Sequence, residues 1–408
     1  MYKVLILFLL TFPIYFLVTK HSLFYSTFLV YVIVSLSFVW FTIILWAISD
    51  IWPRKKFPDW NQPFTIVIPI KNEDPRKFKQ VVESVLRSDG KKQILIGSDG
   101  SSEENFNAYL QILKDLNLKN EDISIYKFKS LGKRIVQCKL HRIAKYNIIV
   151  NLDSDIIVWK KTFMRLLAPF LDKKVGITNA RVDIVFARVF LDRFYNALYL
   201  SANQIGRKST GRFGLMPCAS GELLAYRKNV LNNNLSEYEN AKFLWEIPIT
   251  FGEDRLLTNI FLKNNYDSVY CEDSYCWTWG KSNFLDYIKQ QLRWRRSWIR
   301  ESVRCLSFSW RRPLLFINVI LNLILPIAFS LLLSSIFIRI ITYSDTISLL
   351  ALPLMIIVTT LIRDFALLFE ESNLIVNLII FALFNLIFIT PLWLYALITV
   401  DYTKWGTR

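Results

Sequence analysis

Apolar positions along the chain fall into two patterns. Five long runs, at 4–18, 23–48, 314–342, 347–369 and 374–400, are almost free of charge, and most approach the roughly 20 residues that cross a bilayer. Between the second and third lies a polar, charged block, 50–313, of about 260 residues, enough to bury a substantial core of its own. The layout predicts an integral membrane protein with a globular block between two groups of helices. Within the block the pattern changes. After a proline-broken linker at 52–63, residues 64–70 run almost continuously apolar, as a strand buried on both faces does. Further apolar runs at 94–96, 123–126, 148–152 and 175–178 alternate with helical stretches at 76–87 and 104–116. Such alternation predicts an α/β domain with a mostly parallel sheet covered by helices. Ligands of these sheets bind at the carboxyl ends of the strands.

Composition adds charge to this picture. Fifty Lys and Arg against 33 Asp and Glu leave a net +17. Arg54, Lys55 and Lys56 follow the second apolar run, and Lys289, Arg293, Arg295, Arg296, Arg300, Arg304, Arg311 and Arg312 precede the third. Basic residues beside spanning segments mark the cytoplasmic side, whereas the loop between the first two runs carries only Lys20 and His21. The N-terminus and the block are therefore expected in the cytoplasm. A basic collar suits anionic lipid headgroups, and its placement argues against a nucleic-acid partner. The first run contains Pro13, lacks a small-residue cleavage site and leads directly into the second, so an uncleaved helix pair is expected rather than a signal peptide. Cys138, Cys218, Cys271, Cys276 and Cys305 form no Cys-x-x-Cys pair, and His21 and His141 are the only imidazoles. Neither a zinc site nor a disulfide framework follows, and buried, reduced thiols are expected.

Acids collect where a ligand should bind. Lys71-Asn-Glu73-Asp-Pro75 follows the first strand, Gly97-Ser-Asp99-Gly-Ser101 the second and Asp153-Ser-Asp155 the fourth. Alone, the Asp99 segment reads most simply as a turn. In Asp153-Ser-Asp155 the alternate residues of an extended chain point to one side, so both carboxylates face one divalent cation. Two carboxylates hold Mg²⁺ or Mn²⁺ only with help from phosphate oxygens and water, which points to a diphosphate substrate; two solvated turn acids are the plainer alternative. Phe251-Gly-Glu-Asp254-Arg255 sets two acids at the head of a helical pattern, as caps or as a base. Gln290, Arg293 and Trp294, at i, i+3 and i+4, share one helix face. An indole fits the apolar side of a pyranose and a guanidinium forks onto phosphate, although such a stripe before a membrane span also serves as an interfacial anchor.

The ordered series Asp99, Asp153-Ser-Asp155, Gly252-Glu-Asp254 and Gln290-x-x-Arg293-Trp294, framed by membrane helices, resembles the processive family 2 glycosyltransferases, which include cellulose, chitin and hyaluronan synthases. Within that group it is most similar to hyaluronan synthases, through Asn72-Glu-Asp-Pro75, Gly132-Lys-Arg134, Cys218-Ala-Ser-Gly221, Gly252-Glu-Asp-Arg-Leu-Leu-Thr-Asn259, Gln290-Gln-Leu-Arg-Trp-Arg-Arg-Ser297 and Trp405-Gly-Thr407. The resemblance implies a cytoplasmic GT-A domain over 50–283. Two transmembrane helices would occupy 1–49, amphipathic interfacial helices 284–313, further transmembrane or interfacial helices 314–400, and a gating-loop-like tail 401–408. It implies a multi-pass protein of the plasma membrane that polymerises a β-linked polysaccharide from UDP-sugars, most readily UDP-GlcNAc or UDP-GlcA, by an inverting displacement. Glu73, Asp99 and Asp153 would line the nucleotide pocket, with Lys133 and Arg293 on the diphosphate, while Asp153 and chiefly Asp155 would hold Mn²⁺ or Mg²⁺. Asp254 would be the general base. Gln290 and Trp294, with Cys218, Ser220 and Gly221, would hold the growing polysaccharide, and Trp405, Gly406 and Thr407 would close over the loaded nucleotide.

Three departures bear on the product. Lys71 stands where an aromatic residue is common, Glu222 follows Ser-Gly where hyaluronan synthases commonly carry proline, and the tail replaces further membrane helices, so a homo-oligomer is one way to complete a channel. A cytoplasmic tail needs an even number of crossings after 313. Two spans are expected, with the segment from Pro391 to Val400 as a short interfacial helix. Transfer of a single sugar to a membrane lipid is the competing enzyme reading. A channel or transporter would leave every acidic motif idle.

Overall fold

The structure is a computed structural model that describes residues 22–53, 55–116, 118, 122–185, 190–243, 247–280, 283–343, 380, 384 and 390–403. The apolar runs expected at 4–18 and 347–369, and Trp405, Gly406 and Thr407, lie outside the described residues.

The chain enters through helix α1 (Ser22–Ile51) and then builds a domain from strands β1 (Phe64–Ile70), β2 (Lys92–Asp99), β3 (Asp122–Phe128), β4 (Ile148–Leu152), β5 (Ile156–Val158), β6 (Val175–Ile184), β7 (Leu223–Arg227) and β10 (Asp267–Thr278). A short hairpin, β8 (Lys242–Phe243) with β9 (Ile247–Pro248), stands apart from this sheet. Helices α2 (Pro75–Arg87), α3 (Glu103–Asp115), α4 (Lys133–Ile143), α5 (Phe190–Leu200) and α6 (Glu253–Lys263) cover it. Helix α7 (Phe284–Ser309), α8 (Pro313–Tyr343) and α9 (Thr390–Ile398) follow.

Local sequence explains the first half. Every residue of β1 and β2 is buried, because helices cover both faces. Ile66 and Ile68 pack with Phe78 and Val82 of α2 on one side, while Val67 packs with Val136 and Leu140 of α4 on the other. Helix α2 starts where the Asp74 carboxylate accepts the Arg76 N–H and Pro75 fills the first turn. Its buried residues, Phe78, Val81, Val82 and Val85, recur at helical spacing. Helix α3 starts where the Ser102 hydroxyl accepts the Asn105 N–H.

The sheet is mixed, and six of its eight strands run the same way, as the alternation of strand and helix predicts. The strand order is β3-β2-β1-β4-β7-β6-β10-β5. β3, β2, β1 and β4 run parallel, but β7 is antiparallel to both β4 and β6, and β5 is antiparallel to β10. Two strands give weak local signals. Leu223-Leu-Ala-Tyr-Arg227 has a helix-compatible composition, and β10 breaks its alternation at a register shift between Cys271 and Tyr275.

Helices α1 and α8 are each long and apolar enough to cross a membrane. They pack through Tyr31, Phe329, Leu332 and Ile336, and the Thr27 hydroxyl donates to the Ser335 hydroxyl at 3.0 Å. Leu29, Ile33, Trp40, Phe337 and Ile341 remain exposed, which distinguishes the pair from the core helices of a water-soluble domain. The lower end of α1 is tied to the domain where Arg212 donates to the Ser49 carbonyl and Lys208 approaches Asp50. Helix α9 lies along α7: Trp393 meets Trp298 edge-on, and Arg296 donates to the Thr399 hydroxyl at 2.8 and 3.0 Å.

Candidate active site

A cavity of about 630 Å³ opens at the carboxyl ends of β1, β2 and β4 and extends to α7, within the range usual for small-molecule sites. Asp99, at the end of β2, accepts the backbone N–H groups of Leu131 (2.6 Å) and Gly132 (3.1 Å). That fixes the loop in front of α4. Gly132, with φ of 93°, begins the helix and delivers Lys133 into the cavity. The Lys133 ammonium lies 2.6 Å from an Asp153 oxygen and 2.9 Å from a Glu253 oxygen. Burial opposes its charge, but the two carboxylates outweigh burial and raise its pKa.

Asp153, Ser154 and Asp155 form the turn between β4 and β5, and all three line the cavity. Burial, together with the Asp155 charge, pushes Asp153 up to about 7 despite the Lys133 ammonium. Glu73 stands behind this turn: its carboxylate accepts the Ser154 hydroxyl at 3.0 Å. Lys71, by contrast, is in the wall and donates to the Ser130 hydroxyl.

On the opposite side, Gly252 precedes α6 with φ of 88°, and a Cβ there would lie 1.8 Å from the Ser297 hydroxyl oxygen. α6 and α7 therefore meet closely beside Asp254. The Asp254 carboxylate accepts the Gly221 N–H at 3.2 Å and the Arg255 N–H at 2.8 Å, with the Cys218 sulfur 3.8 Å away. The Ala219 N–H donates to the Thr258 hydroxyl, which donates to the Asp254 carbonyl, so the loop carrying Cys218, Ser220 and Gly221 is tied to α6. Neighbouring acids diverge here. Burial would raise Glu253, but Lys133 holds it down at about 2; burial and the Glu253 charge raise Asp254. An acid pair split in this way marks the raised member as a candidate proton acceptor.

Gln290, Arg293 and Trp294 of α7 all reach the cavity, as their spacing predicts. The Gln290 carbonyl accepts the Tyr195 hydroxyl. Sequence reasoning missed Tyr195, Tyr199, Arg207, Trp279, Trp298 and Thr403 as wall residues. One local feature accounts for Arg207: Ser201–Arg207 is wound as a π-helix, a distortion often found at functional sites, though nothing in its sequence announces it. Residues 400–403 approach the same cavity. Thr403 lines it, the Thr250 hydroxyl donates to the Thr403 carbonyl, and fully buried Arg300 donates to the carbonyls of Phe251 (3.2 Å), Val400 (3.4 Å) and Tyr402 (3.5 Å).

The carboxylates of Asp153 and Asp155 fit a hard divalent cation whose remaining ligands come from substrate oxygens and water. Among the described residues no cluster of three or more His, Cys, Asp or Glu side chains could hold a metal by itself. The five cysteines are free thiols, and His141 is hydrogen-bonded to Tyr226 and Asn232.

Comparison with known proteins agrees with this geometry. An N-acetylglucosaminyltransferase of Mesorhizobium japonicum is 29% identical over 350 residues, 84% of this chain and 81% of the relative. A hyaluronan synthase of Streptococcus pyogenes is 27% identical over 349 residues, 84% of this chain and 82% of the relative. The apolar, exposed surfaces of α1 and α8 fit a membrane protein. Among solved structures, a mannosyltransferase from Pyrobaculum calidifontis in complex with GDP-Man and Mn²⁺ superposes with a TM-score of 0.63 at 16% identity. It covers 88% of this chain and 98% of its own, and shows the same GT-A fold. Since the model of the glycosyltransferase-like family 2 matches residues 61–297, more than half of its length, the chain belongs to that family and is a glycosyltransferase.

Proposed function

We propose that the protein is a processive polysaccharide synthase that uses UDP-sugars on the cytoplasmic side of the plasma membrane and passes its β-linked product through its own helices. The observation that carries this reading is the convergence, in one cavity, of the Asp153 and Asp155 carboxylates, Lys133, Asp254 and the Gln290-Arg293-Trp294 face. Asp254 takes the proton of the acceptor hydroxyl as that oxygen attacks the anomeric carbon from the side opposite the diphosphate, so an α-linked donor gives a β-linkage. Lys133 and Arg293 stabilise the departing diphosphate. A Mn²⁺ or Mg²⁺ ion held by Asp153 and Asp155 would supply further positive charge to that leaving group. The metal and the nucleotide sugar of the mannosyltransferase complex support this class of donor chemistry. Gln290 and Trp294 hold the acceptor sugar, with Cys218, Ser220 and Gly221 beside it. The basic collar on either side of the domain supports its cytoplasmic placement.

Purified protein given Mn²⁺ with UDP-GlcNAc, UDP-GlcA or both should release UDP and build a high-molecular-mass product. Label recovered only in a lipid-soluble, singly glycosylated product would replace processive synthesis with lipid glycosylation. In the same assay, Trp294→Ala should lower chain elongation by about tenfold, the scale of one lost ring contact, while donor hydrolysis changes little. The opposite pattern would remove Trp294 from the acceptor site.

A further inference from the structure

Helix α5 carries two tyrosines one turn apart, and each commits its hydroxyl to a polar side chain of the cavity wall. Tyr195 donates to the Gln290 side-chain carbonyl, and Tyr199 donates to Glu222 at 2.7 Å. The Tyr195 ring has little freedom of its own. It is 2% exposed, stacks on Tyr199 with ring centres 6.5 Å apart, and meets Tyr287 of α7 edge-on at 5.0 Å and 86°. Tyr287 lies one turn before Gln290 on the same face of α7, and Trp294 one turn after it. One tyrosine therefore packs against the first of these three residues and hydrogen-bonds the second.

A carboxamide carries a carbonyl on one side and an amino group on the other, and the two offer a ligand opposite hydrogen-bonding character. A Gln290 free to turn would show the cavity either side. Because its carbonyl accepts from the buried phenol, the amino group is left for the cavity, which Gln290 lines. Among the described residues nothing accepts from that amino group. A wall residue that could have accepted or donated is thereby fixed as a donor.

Resting on the reading above, in which Gln290 meets the acceptor sugar, we infer that Tyr195 is a positioning residue for acceptor recognition. It holds the Gln290 amide with its N–H groups toward the acceptor, so the terminal sugar of the growing chain is held through an oxygen that accepts. Tyr195 acts through Gln290 and not on the reacting atoms. Its contribution is preorganisation: an amide already turned to its ligand needs no reordering when the ligand arrives.

The test compares sugar built into product with sugar lost to water as free monosaccharide. It uses full-length protein in nanodiscs with Mn²⁺ and with UDP-Glc, UDP-GlcNAc and UDP-GlcA, singly and mixed. Tyr195→Phe keeps the ring and its packing but removes the donor, and should lower the ratio of built-in to hydrolysed sugar about tenfold, the upper end for one hydrogen bond. In a Gln290→Ala background the same change should cost less than about twofold more, because its partner is gone. Gln290→Glu keeps an acceptor for Tyr195 and removes the N–H groups, so its ratio should fall at least as far as that of Tyr195→Phe. A Tyr195→Phe protein with the wild-type ratio, built-in and hydrolysed sugar falling together included, would overturn the inference. So would equal losses in the two backgrounds, which mark a structural role, or a Gln290→Glu protein that elongates as well as the wild type. A wild type that releases no UDP from any donor, or whose sole product is a singly glycosylated lipid, would instead bring down the synthase reading, and this inference with it.

Discussion

Asp254→Asn should cut sugar transfer by about 10²–10⁴-fold, the range attributable to a general base, while UDP affinity stays within a few-fold of wild type. The amide oxygen can still accept one of the two N–H groups, from Gly221 and Arg255, that hold the carboxylate, so most of the geometry survives while basicity is lost. Lys133, Asp153 and Asp155 are untouched, which is why nucleotide binding should persist. The pH dependence carries a second signature. Burial and Glu253 raise the Asp254 pKa, so the wild-type kcat/KM should fall off as pH drops through a value above the ordinary aspartate range. The residual activity of the variant should lack that limb. UDP release measured beside calorimetric UDP binding decides the matter: parallel loss of both would make Asp254 a structural residue.

Gly252→Ala should be nearly as damaging by a different route. A left-handed backbone at φ of 88° costs a non-glycine residue about 1–2 kcal/mol, and overpacking adds about 1–3 kcal/mol. The new methyl would stand 1.8 Å from the Ser297 hydroxyl oxygen, so α6 must move away from α7. That shift separates Asp254 from Gln290, Arg293 and Trp294. A loss of about 10²-fold in transfer is expected, since catalysis is sensitive to displacements of about 1 Å, together with a lower melting temperature. Adding Ser297→Gly removes the collision and leaves the backbone strain, so the double variant should recover part of both losses. A Gly252→Ala protein with wild-type melting and activity would show that the two helices do not meet this closely.

What the sequence revealed and what it hid follow from the range of the interactions involved. Helices α2 and α3 begin within one residue of their expected starts, because Asp74 with Pro75, and Ser102, mark them locally. Asp153-Ser-Asp155 and Gln290-x-x-Arg293-Trp294 were legible because each is one short segment whose spacing puts its side chains on a common side. Strand β7 was not: its extended form depends on pairing with β4 and β6, which arrive from distant parts of the chain. The same holds for Tyr199 and Arg207, which reach the cavity only through the packing of α5 and the π-helical turn after it. Glu222 was visible as a departure from pattern, but only its neighbours at Tyr199 and Asp153 reveal where its charge lies.

Arg300 has a consequence for how the site communicates. Its guanidinium joins the carbonyl of Phe251, at the entrance to the helix of the base, to those of Val400 and Tyr402 near the chain end. Two segments that share one buried donor cannot shift independently, so their equilibria are linked. Thermodynamic reciprocity then requires that a substrate which tightens residues 250–254 also tighten residues 399–403, and that anything displacing the chain end weaken substrate by the same factor. In this protein residues 399–403 are, energetically, one arm of a balance whose other arm leads into the helix of Asp254.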